Sequence, residues 1–198
     1  MQILQLLARP RGATSYSNPL ANDLVAQLVA ANPGSSVQVH ELTNSTFPQL
    51  EPAQLHSFLT PAESRTPEQE AAVRLSDAAI AELLAADTLV IGAPLYNFSI
   101  ATTLKAWTDH IVRAGITFRN TTVGPEGLVN GKKVYIALSS GGVQYEGPMA
   151  AYDFVAPYLQ TVLGFLGMTD VTVVREEGQN VPVPGDNTVA NAMASINF

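Results

Sequence analysis

The chain has 198 residues, of which 46% are hydrophobic and 14% charged, a balance that predicts a globular protein rather than a disordered one. Its formal net charge of -7 argues against a nucleic-acid partner, because phosphate-backbone binding needs clustered lysine and arginine and only 10 are present. There is no cysteine, which excludes disulfides, thiol nucleophiles, iron–sulfur clusters and thiolate zinc sites.

The first half of the chain predicts alternating strands and helices. Residues 3–8 form a short apolar run typical of a buried strand, and a helix is expected over 19–31, with Pro19 in its first turn. A second strand is expected over 36–42. The polar, proline-bearing stretch over 43–65 is expected to be a loop or lid.

The alternation continues from residue 66. The run Thr66-Pro67-Glu68-Gln69 combines an N-cap, a first-turn proline and a capping glutamine, so it predicts a helix start. Ser99 is expected to cap a later helix over 100–114 that Gly115 ends. The remaining expected elements are strands over 88–91, 134–138 and 171–174, a helix up to 166 with Pro157 as its start or a kink, and a weakly helical tail over 187–198.

Five strands that alternate with helices predict an α/β fold, a doubly wound five-stranded parallel sheet with helices on both faces. The expected strand order is 2-1-3-4-5, and ligands in such sheets bind outside the carboxyl ends of the strands, where the order reverses. Residues 1–198 are expected to form one domain, since no composition shift divides them. Without a signal peptide or a membrane-length apolar run, we expect a cytoplasmic protein with no membrane partner.

The loop after the first strand, over 9–18, is rich in hydroxyl groups and opens into a helix N-terminus. Backbone N–H groups and the helix dipole favour an anion there, and Ser15 and Ser17 add hydroxyl donors. The alternative is an ordinary serine-capped helix. The loop matches neither G-x-G-x-x-G nor G-x-x-x-x-G-K-[ST], so a mononucleotide phosphate fits better than a dinucleotide or a triphosphate.

The loop after the third strand holds an aromatic–amide–aromatic triplet, Tyr96-Asn97-Phe98. Such a turn would set Asn97 against the polar edge of a flat heterocycle lined by the two aromatics, whereas the alternative packs both aromatics on the core. The loop after the fourth strand carries paired glycines that let the backbone approach a ligand, and a plain flexible loop is its alternative. The three loops together suit a mononucleotide-type cofactor.

Short motifs spread over most of the chain carry a family resemblance. They are Ala93-Pro94-Leu95-Tyr96-Asn97-Phe98, Arg113-Ala114-Gly115-Ile116-Thr117-Phe118-Arg119, Gly124-Pro125-Glu126-Gly127-Leu128, Gly131-Lys132-Lys133, Ser140-Gly141-Gly142, Pro157-Tyr158-Leu159 and Leu163-Gly164-Phe165. Together they resemble the FMN-dependent NADH-azoreductases, which are also quinone reductases. The resemblance implies a flavodoxin-like fold and a homodimer whose two FMN sites lie at the subunit interface.

The resemblance also assigns binding roles to residues of the three loops. Ser15, Tyr16 and Ser17 would hold the FMN phosphate, with Arg9 near it at a position where the family commonly has serine. The positions that match the rest of the flavin site are Pro94, Leu95, Tyr96, Asn97 and Phe98 for the isoalloxazine and ribityl groups, and Ser139, Ser140, Gly141 and Gly142 for the pyrimidine edge.

Three departures from the family pattern leave the substrate preference open, together with the choice between NADH and NADPH. Ser140 stands where arginine is familiar, Asn120 where an aromatic residue is familiar, and Val162 where phenylalanine is familiar. Asn120 and Val162 are expected in the substrate pocket with Phe118, which a hairpin-like stretch over 117–128 would present to the partner's flavin. The alternative for Phe118 is packing in the dimer interface.

The implied activity is FMN-dependent reduction of quinones and azo compounds with NADH or NADPH as the electron donor. Hydride would pass to flavin N5 and, after the nucleotide leaves, to the acceptor in a ping-pong cycle that needs no dedicated catalytic acid. The alternative function is a flavodoxin-like electron carrier without small-molecule turnover. Structural roles are expected for His40, His56 and His110, which lack metal-ligand spacing, and Glu176-Glu177 is expected to be a solvated strand exit.

Overall fold

The computed structural model describes residues 1–8, 17–44, 47–142, 147–178 and 193. Its strands are β1 (Gln2–Leu7), β2 (Ser36–Glu41), β3 (Thr88–Pro94), β4 (Phe118–Thr121), β5 (Gly124–Gly127), β6 (Lys133–Ser139) and β7 (Asp170–Glu176). Its α-helices are α1 (Ser17–Ala31), α2 (Pro52–Leu59), α3 (Pro67–Ala85), α4 (Thr102–Ile111) and α5 (Ala156–Phe165), and short 3-10 helices cover Ala62–Ser64 and Gly147–Tyr152. No helix within these ranges has the length and apolar character needed to cross a bilayer.

The main sheet has five strands in the order β2-β1-β3-β6-β7, and every neighbouring pair is parallel. This confirms the predicted doubly wound sheet, since the order of its strands along the chain is 2-1-3-4-5. Leu7 pairs with Gly92, Pro94 with Ser139, and Ser139 with Glu176, so the carboxyl ends of four strands lie along one edge.

The three central strands, β1, β3 and β6, are buried on both faces. Ile3, Leu7 and Val90 pack with α1 in one cluster, whereas Leu4 and Ile91 belong to the cluster that faces α3, α4 and α5. Successive residues of a strand point to opposite faces, so a strand covered by helices on both sides is apolar throughout. The continuous burial of residues 3–7 therefore reflects the two helical layers.

Two predicted helix starts had different outcomes. The capping box of α3 is confirmed, because Thr66 Oγ1 accepts from Gln69 N at 3.3 Å and Gln69 Oε1 accepts from Thr66 N at 3.0 Å. The prediction that Ser99 caps α4 is wrong, since the helix begins at Thr102 after Ala101 without a side-chain cap. The backbone of Ser99 instead closes a tight turn with Tyr96.

The stretch expected to be a loop over 43–65 contains α2, so that expectation is wrong for 52–59. Polar side chains fasten this helix: Gln54 Nε2 donates to Ala72 O at 3.2 Å, and Gln54 and Ser57 are buried. Leu55 and Leu59 point outward instead, and Leu59 is 76% exposed. The inverted pattern of polar and apolar residues hides the helix from any argument based on an inward apolar stripe.

A buried histidine holds the segment around α2 against α4. His110 Nε2 lies 3.0 Å from Pro48 O, and because a carbonyl only accepts, Nε2 donates. The His110 ring makes edge contacts with Phe47 and Phe58, at centroid distances of 5.2 and 5.9 Å. The guanidinium of Arg113 lies 4.2 Å above the Phe58 ring, so protonated His110 would sit near a buried cation.

Strands β4 and β5 form the antiparallel hairpin that the sequence predicted. The hairpin docks on the end of α5, where the rings of Phe118 and Phe165 are 4.7 Å apart. A Cβ on Gly127 would lie 2.2 Å from the carbonyl carbon of Leu166, so only glycine allows this approach.

We expect Gly127→Ala to lower the free energy of unfolding by about 3 kcal/mol, because the added methyl meets backbone that cannot yield as a side chain would. The matched control is Gly164→Ala in α5, where no atom lies within 4 Å of the new Cβ. That control should raise the free energy of unfolding by about 0.5–1 kcal/mol through helix propensity. Urea unfolding measures both, and equal effects would contradict the docking.

Burial lowers the pKa of His110 below the ordinary value of 6.5, so the folded protein resists a proton that the unfolded chain accepts. The resulting stability is complete above pH 6.5 and is lost as the pH falls below it. The free energy of unfolding from urea titrations should therefore decrease between about pH 7 and about pH 5.5 more steeply than in His110→Gln. Glutamine supplies an N–H donor but does not titrate, and equal slopes would contradict this role for His110.

Candidate functional site

The candidate site lies at the carboxyl edge of the main sheet, beside the N-terminus of α1. Gly92 in β3 allows α1 to lie close to the strand. A Cβ at this position would lie 3.3 Å from Leu7 Cδ2 and 3.4 Å from Ser17 O. The absence of a side chain at position 92 thus lets the first turn of α1 approach β3. A helix N-terminus is consequently brought to the place where the strand order reverses.

Only part of the first predicted loop can be placed. Arg9, Ser15 and Tyr16 lie outside the described residues. Ser17 is buried as the first residue of α1. Asn18 beside it is also buried, and its Oδ1 has no hydrogen-bond partner within the described ranges. A buried acceptor without a partner next to a helix N-terminus suits a ligand that brings a hydroxyl close to an anionic group.

The loop after β3 is a tight turn with an unusual backbone. Tyr96 N donates to Ser99 O at 2.8 Å and Ser99 N donates to Tyr96 O at 3.1 Å. Both central residues are left-handed, with φ of 49° at Asn97 and 68° at Phe98. Turns of this kind favour asparagine followed by glycine, so Phe98 occupies a glycine position at a cost of about 1–3 kcal/mol.

The rings of this turn face outward. Tyr96 is 47% exposed and Phe98 is 48% exposed, so the alternative in which both aromatics pack on the core is wrong. Asn97 between them is exposed as well. A large aromatic held outward by a strained backbone indicates a surface that is kept open for a flat partner.

The loop after β6 is joined to its neighbours by backbone hydrogen bonds. Leu95 N donates to Ser139 O at 2.8 Å, and Ser140 N donates to Glu176 O at 3.0 Å. The Ser140 hydroxyl turns back on its own loop and donates to Gly142 O. Ser139 and Ser140 are buried, whereas Gly141 and Gly142 are half-buried at the edge. Among the four described residues of this loop, 139–142, the paired glycines are therefore the ones that a ligand can approach.

Sequence reasoning missed two aromatics at the same edge, Tyr152 and Phe154. They lie before α5, and each is about half exposed. The Tyr152 ring lies 5.6 Å from the Phe98 ring, and Phe154 N donates to Phe98 O at 3.3 Å. These residues belong to a stretch expected to be helical, and the hydrogen bond to a distant turn leaves no mark in the local pattern.

Three further expectations concern residues around this edge. Phe118 and Val162 are half-buried against the core cluster, and Asn120 is exposed two residues after Phe118 on β4. The expectation of a solvated strand exit is wrong for Glu177, whose side chain is 4% exposed and pairs with Arg175 at 3.0 Å. The described residues contain no group of three acidic or histidine side chains able to hold a metal ion.

Comparisons with known proteins cover nearly the whole chain. A family model described as a flavodoxin-like fold matches residues 1–197. The chain is 45% identical over 197 residues to an FMN-dependent NADH:quinone oxidoreductase of Herminiimonas arsenicoxydans, covering 99% of this chain and 97% of the relative. It is 49% identical over 195 residues to one of Paraburkholderia phymatum, covering 98% and 97%. A solved azoreductase from Bacillus anthracis str. Sterne is similar at a TM-score of 0.89 and 29% identity, covering 98% of this chain and 95% of that chain.

The strain at Phe98 predicts an unusual order of stability between two variants. Phe98→Gly should be more stable than Phe98→Ala by about 1 kcal/mol, because a left-handed backbone penalises Cβ but not glycine. Both variants lack the ring, so urea unfolding isolates the backbone term. The control is Ala78→Gly on the exposed side of α3, where glycine should be less stable than alanine by about 1 kcal/mol. The same order at both positions would show that Phe98 is unstrained.

Proposed function

The chain belongs to the family with the flavodoxin-like fold, and on this basis we propose that it is an FMN-dependent NADH:quinone oxidoreductase that also reduces azo compounds. One observation carries the proposal: relatives at 45% identity or more bear the quinone oxidoreductase name across almost the full length of both chains. The motifs that suggested the family from sequence are confirmed. The family match over residues 1–197 also supports a single FMN-binding domain.

The residues at the sheet edge fit FMN, which combines a phosphate, a hydroxyl-bearing ribityl chain and a flat ring. The N-terminus of α1 offers positive partial charge to the phosphate. The Oδ1 of Asn18, which has no hydrogen-bond partner among the described residues, would accept a hydrogen bond from a ribityl hydroxyl. The outward rings of the β3 turn offer apolar surface to the flavin. The residues proposed to hold FMN are Arg9, Ser15, Tyr16 and Ser17 at the phosphate, Pro94, Leu95, Tyr96, Asn97 and Phe98 along the ring and ribityl groups, and Ser139, Ser140, Gly141 and Gly142 at the pyrimidine edge.

When bound, FMN supplies the hydride-accepting and hydride-donating chemistry at ring atom N5. The task of the chain is then to bind and orient the ring and to exclude water from one side of it. The half-buried Gly141 and Gly142 would offer backbone N–H groups to the pyrimidine edge, where they would stabilise negative charge on the reduced ring. We propose a ping-pong order, in which NADH and the acceptor use the exposed side of the site in turn.

We also propose that the enzyme works as a homodimer. Exposed apolar side chains cluster along the chain around the candidate site, at Met149, Tyr152 and Phe154, and Val123 at the hairpin tip is 96% exposed. Protein interfaces are enriched in such aromatic and methionine side chains. A partner seated here would bring the hairpin with Phe118 and Asn120, and the neighbouring Val162, to a shared substrate pocket.

Turnover separates this enzyme from an electron carrier of the same fold. Purified protein supplied with FMN, NADH and a benzoquinone should consume many equivalents of NADH per protein. The consumption is measured as the loss of the nicotinamide absorbance. Omission of the quinone or the protein should abolish this consumption, and parallel double-reciprocal plots at several quinone concentrations should report the ping-pong order. An azo dye and NADPH, each substituted in the same assay, define the acceptor and donor range.

Two outcomes would overturn the proposal in different ways. Protein that quenches FMN fluorescence but never turns over NADH would be a carrier. Protein that leaves FMN fluorescence unchanged would lack the proposed cofactor site altogether.

A further inference from the structure

The left-handed turn over residues 96–99 needs support from outside itself. Its own two hydrogen bonds join Tyr96 and Ser99, and neither fixes the backbone of Phe98. A strained residue keeps its conformation only when its surroundings over-determine it. The support comes from the segment before α5, where Phe154 N donates to Phe98 O and the Tyr152 ring packs beside the Phe98 ring.

Asp153 fastens that supporting segment. Its Oδ1 accepts from Val155 N at 2.9 Å and from Ala156 N at 3.2 Å, so it satisfies two backbone N–H groups at the start of α5. Its Oδ2 accepts from Arg175 Nη2 at 2.7 Å, and the carboxylate side chain is only 6% exposed. One buried carboxylate thus connects the start of α5, and the residues on either side of Asp153, to a second element.

That second element is the carboxyl end of β7. Arg175 pairs with Leu138 of β6, one residue before Ser139, whose carbonyl accepts from Leu95 N. The other arm of the guanidinium, Nη1, donates to Glu177 at 3.0 Å. Arg175 is therefore held between two carboxylates at the same edge of the sheet that carries the aromatic turn. The Asp153–Arg175 pair thus fixes the segment that supports the turn relative to the sheet.

We propose that Asp153, paired with Arg175, is a positioning residue of the flavin site. Through the backbone N–H of Phe154 it holds Phe98 in the left-handed conformation that presents its ring at the edge. The consequence for the cofactor rests on the proposed function, whereas the consequence for the turn does not. Only Oδ1 is needed to accept from the backbone at the start of α5. The ion pair that Oδ2 makes with Arg175 in β7 is therefore available to position the segment. The Arg175 side chain is 24% exposed, and a partly exposed ion pair of this kind contributes little net stability, so we assign it to selecting one arrangement of the segment.

Asp153→Asn tests the proposal because asparagine keeps the size but has no charge and one acceptor oxygen, so it cannot accept from the backbone N–H groups and also form the ion pair with Arg175. In the unliganded variant, the amide protons of Ser99 and Phe154, which donate to Tyr96 O and Phe98 O, should exchange at least about tenfold faster than in the parent, as followed by NMR. The dissociation constant for FMN from fluorescence quenching should rise about tenfold, equivalent to about 1.4 kcal/mol. The KM for the quinone should rise more than kcat falls, because the site is displaced rather than removed.

Two further variants keep the test informative if Asp153→Asn does not fold. Arg175→Met removes the charge at similar length and should weaken FMN binding as Asp153→Asn does. Arg175→Lys restores the charge and should recover most of the affinity. The matched control is Thr66→Ala, which removes the side-chain cap of α3 away from the site. It should lower global stability while leaving FMN affinity and the amide exchange of Ser99 and Phe154 unchanged.

The outcomes divide clearly. If Asp153→Asn or Arg175→Met lowers stability as Thr66→Ala does, but amide exchange at Ser99 and Phe154 and FMN affinity stay within twofold of the parent, Asp153 only stabilises the start of α5 and the proposal is overturned. Faster exchange together with weaker FMN binding, rescued by Arg175→Lys, supports it. If the parent binds no FMN, the proposed function fails, and the exchange measurement on unliganded protein still decides whether Asp153 positions the turn.

Discussion

The strained turn that closes β3 is the constraint around which the carboxyl edge of the sheet is built. Asn97 and Phe98 both adopt the left-handed conformation, and Phe98 does so with a large side chain where glycine is favoured. Hydrogen bonds on both sides of the turn compensate for the strain. Leu95 N donates to Ser139 O at the end of β6, and Phe98 O accepts from Phe154 N in the segment before α5. The edge is therefore a set of mutually dependent loops, and its geometry follows from the position of one phenylalanine backbone.

The rest of the molecule obeys local rules and supplies the rigidity that such an edge needs. The central strands β1, β3 and β6 are buried on both faces, and the capping box starts α3 at Thr66. Gly92 and Gly127 lie where neighbouring backbone or helix comes too close for a side chain. Violations of local preference are concentrated at the carboxyl edge and beneath α2. Natural proteins are expected to break such rules mainly where function requires it.

The sequence was sufficient for the strand order, the hairpin and the location of the three loops, because these follow from periodicity, turn residues and the handedness of crossovers. It was insufficient where a residue acts through a distant partner. Nothing local shows that Phe154 N donates to Phe98 O, or that Arg175 pairs with Asp153. The sequence did not predict helix α2 for another physical reason. Gln54 faces inward and Leu59 outward, so burial in this helix follows hydrogen bonding rather than hydropathy.

The exposed aromatics and the strained backbone at this edge both lower the stability of the folded chain, and one explanation accounts for both. An outward Phe98 forgoes hydrophobic burial, and a left-handed Phe98 adds conformational strain, so neither feature stabilises the chain alone. Both penalties are recovered if a flat, apolar ring covers the exposed face, because burial then rewards the orientation that the strain maintains. A cofactor that carries its own redox chemistry needs little else from the protein, and the described residues accordingly supply shape, dipoles and aromatic surface at the edge.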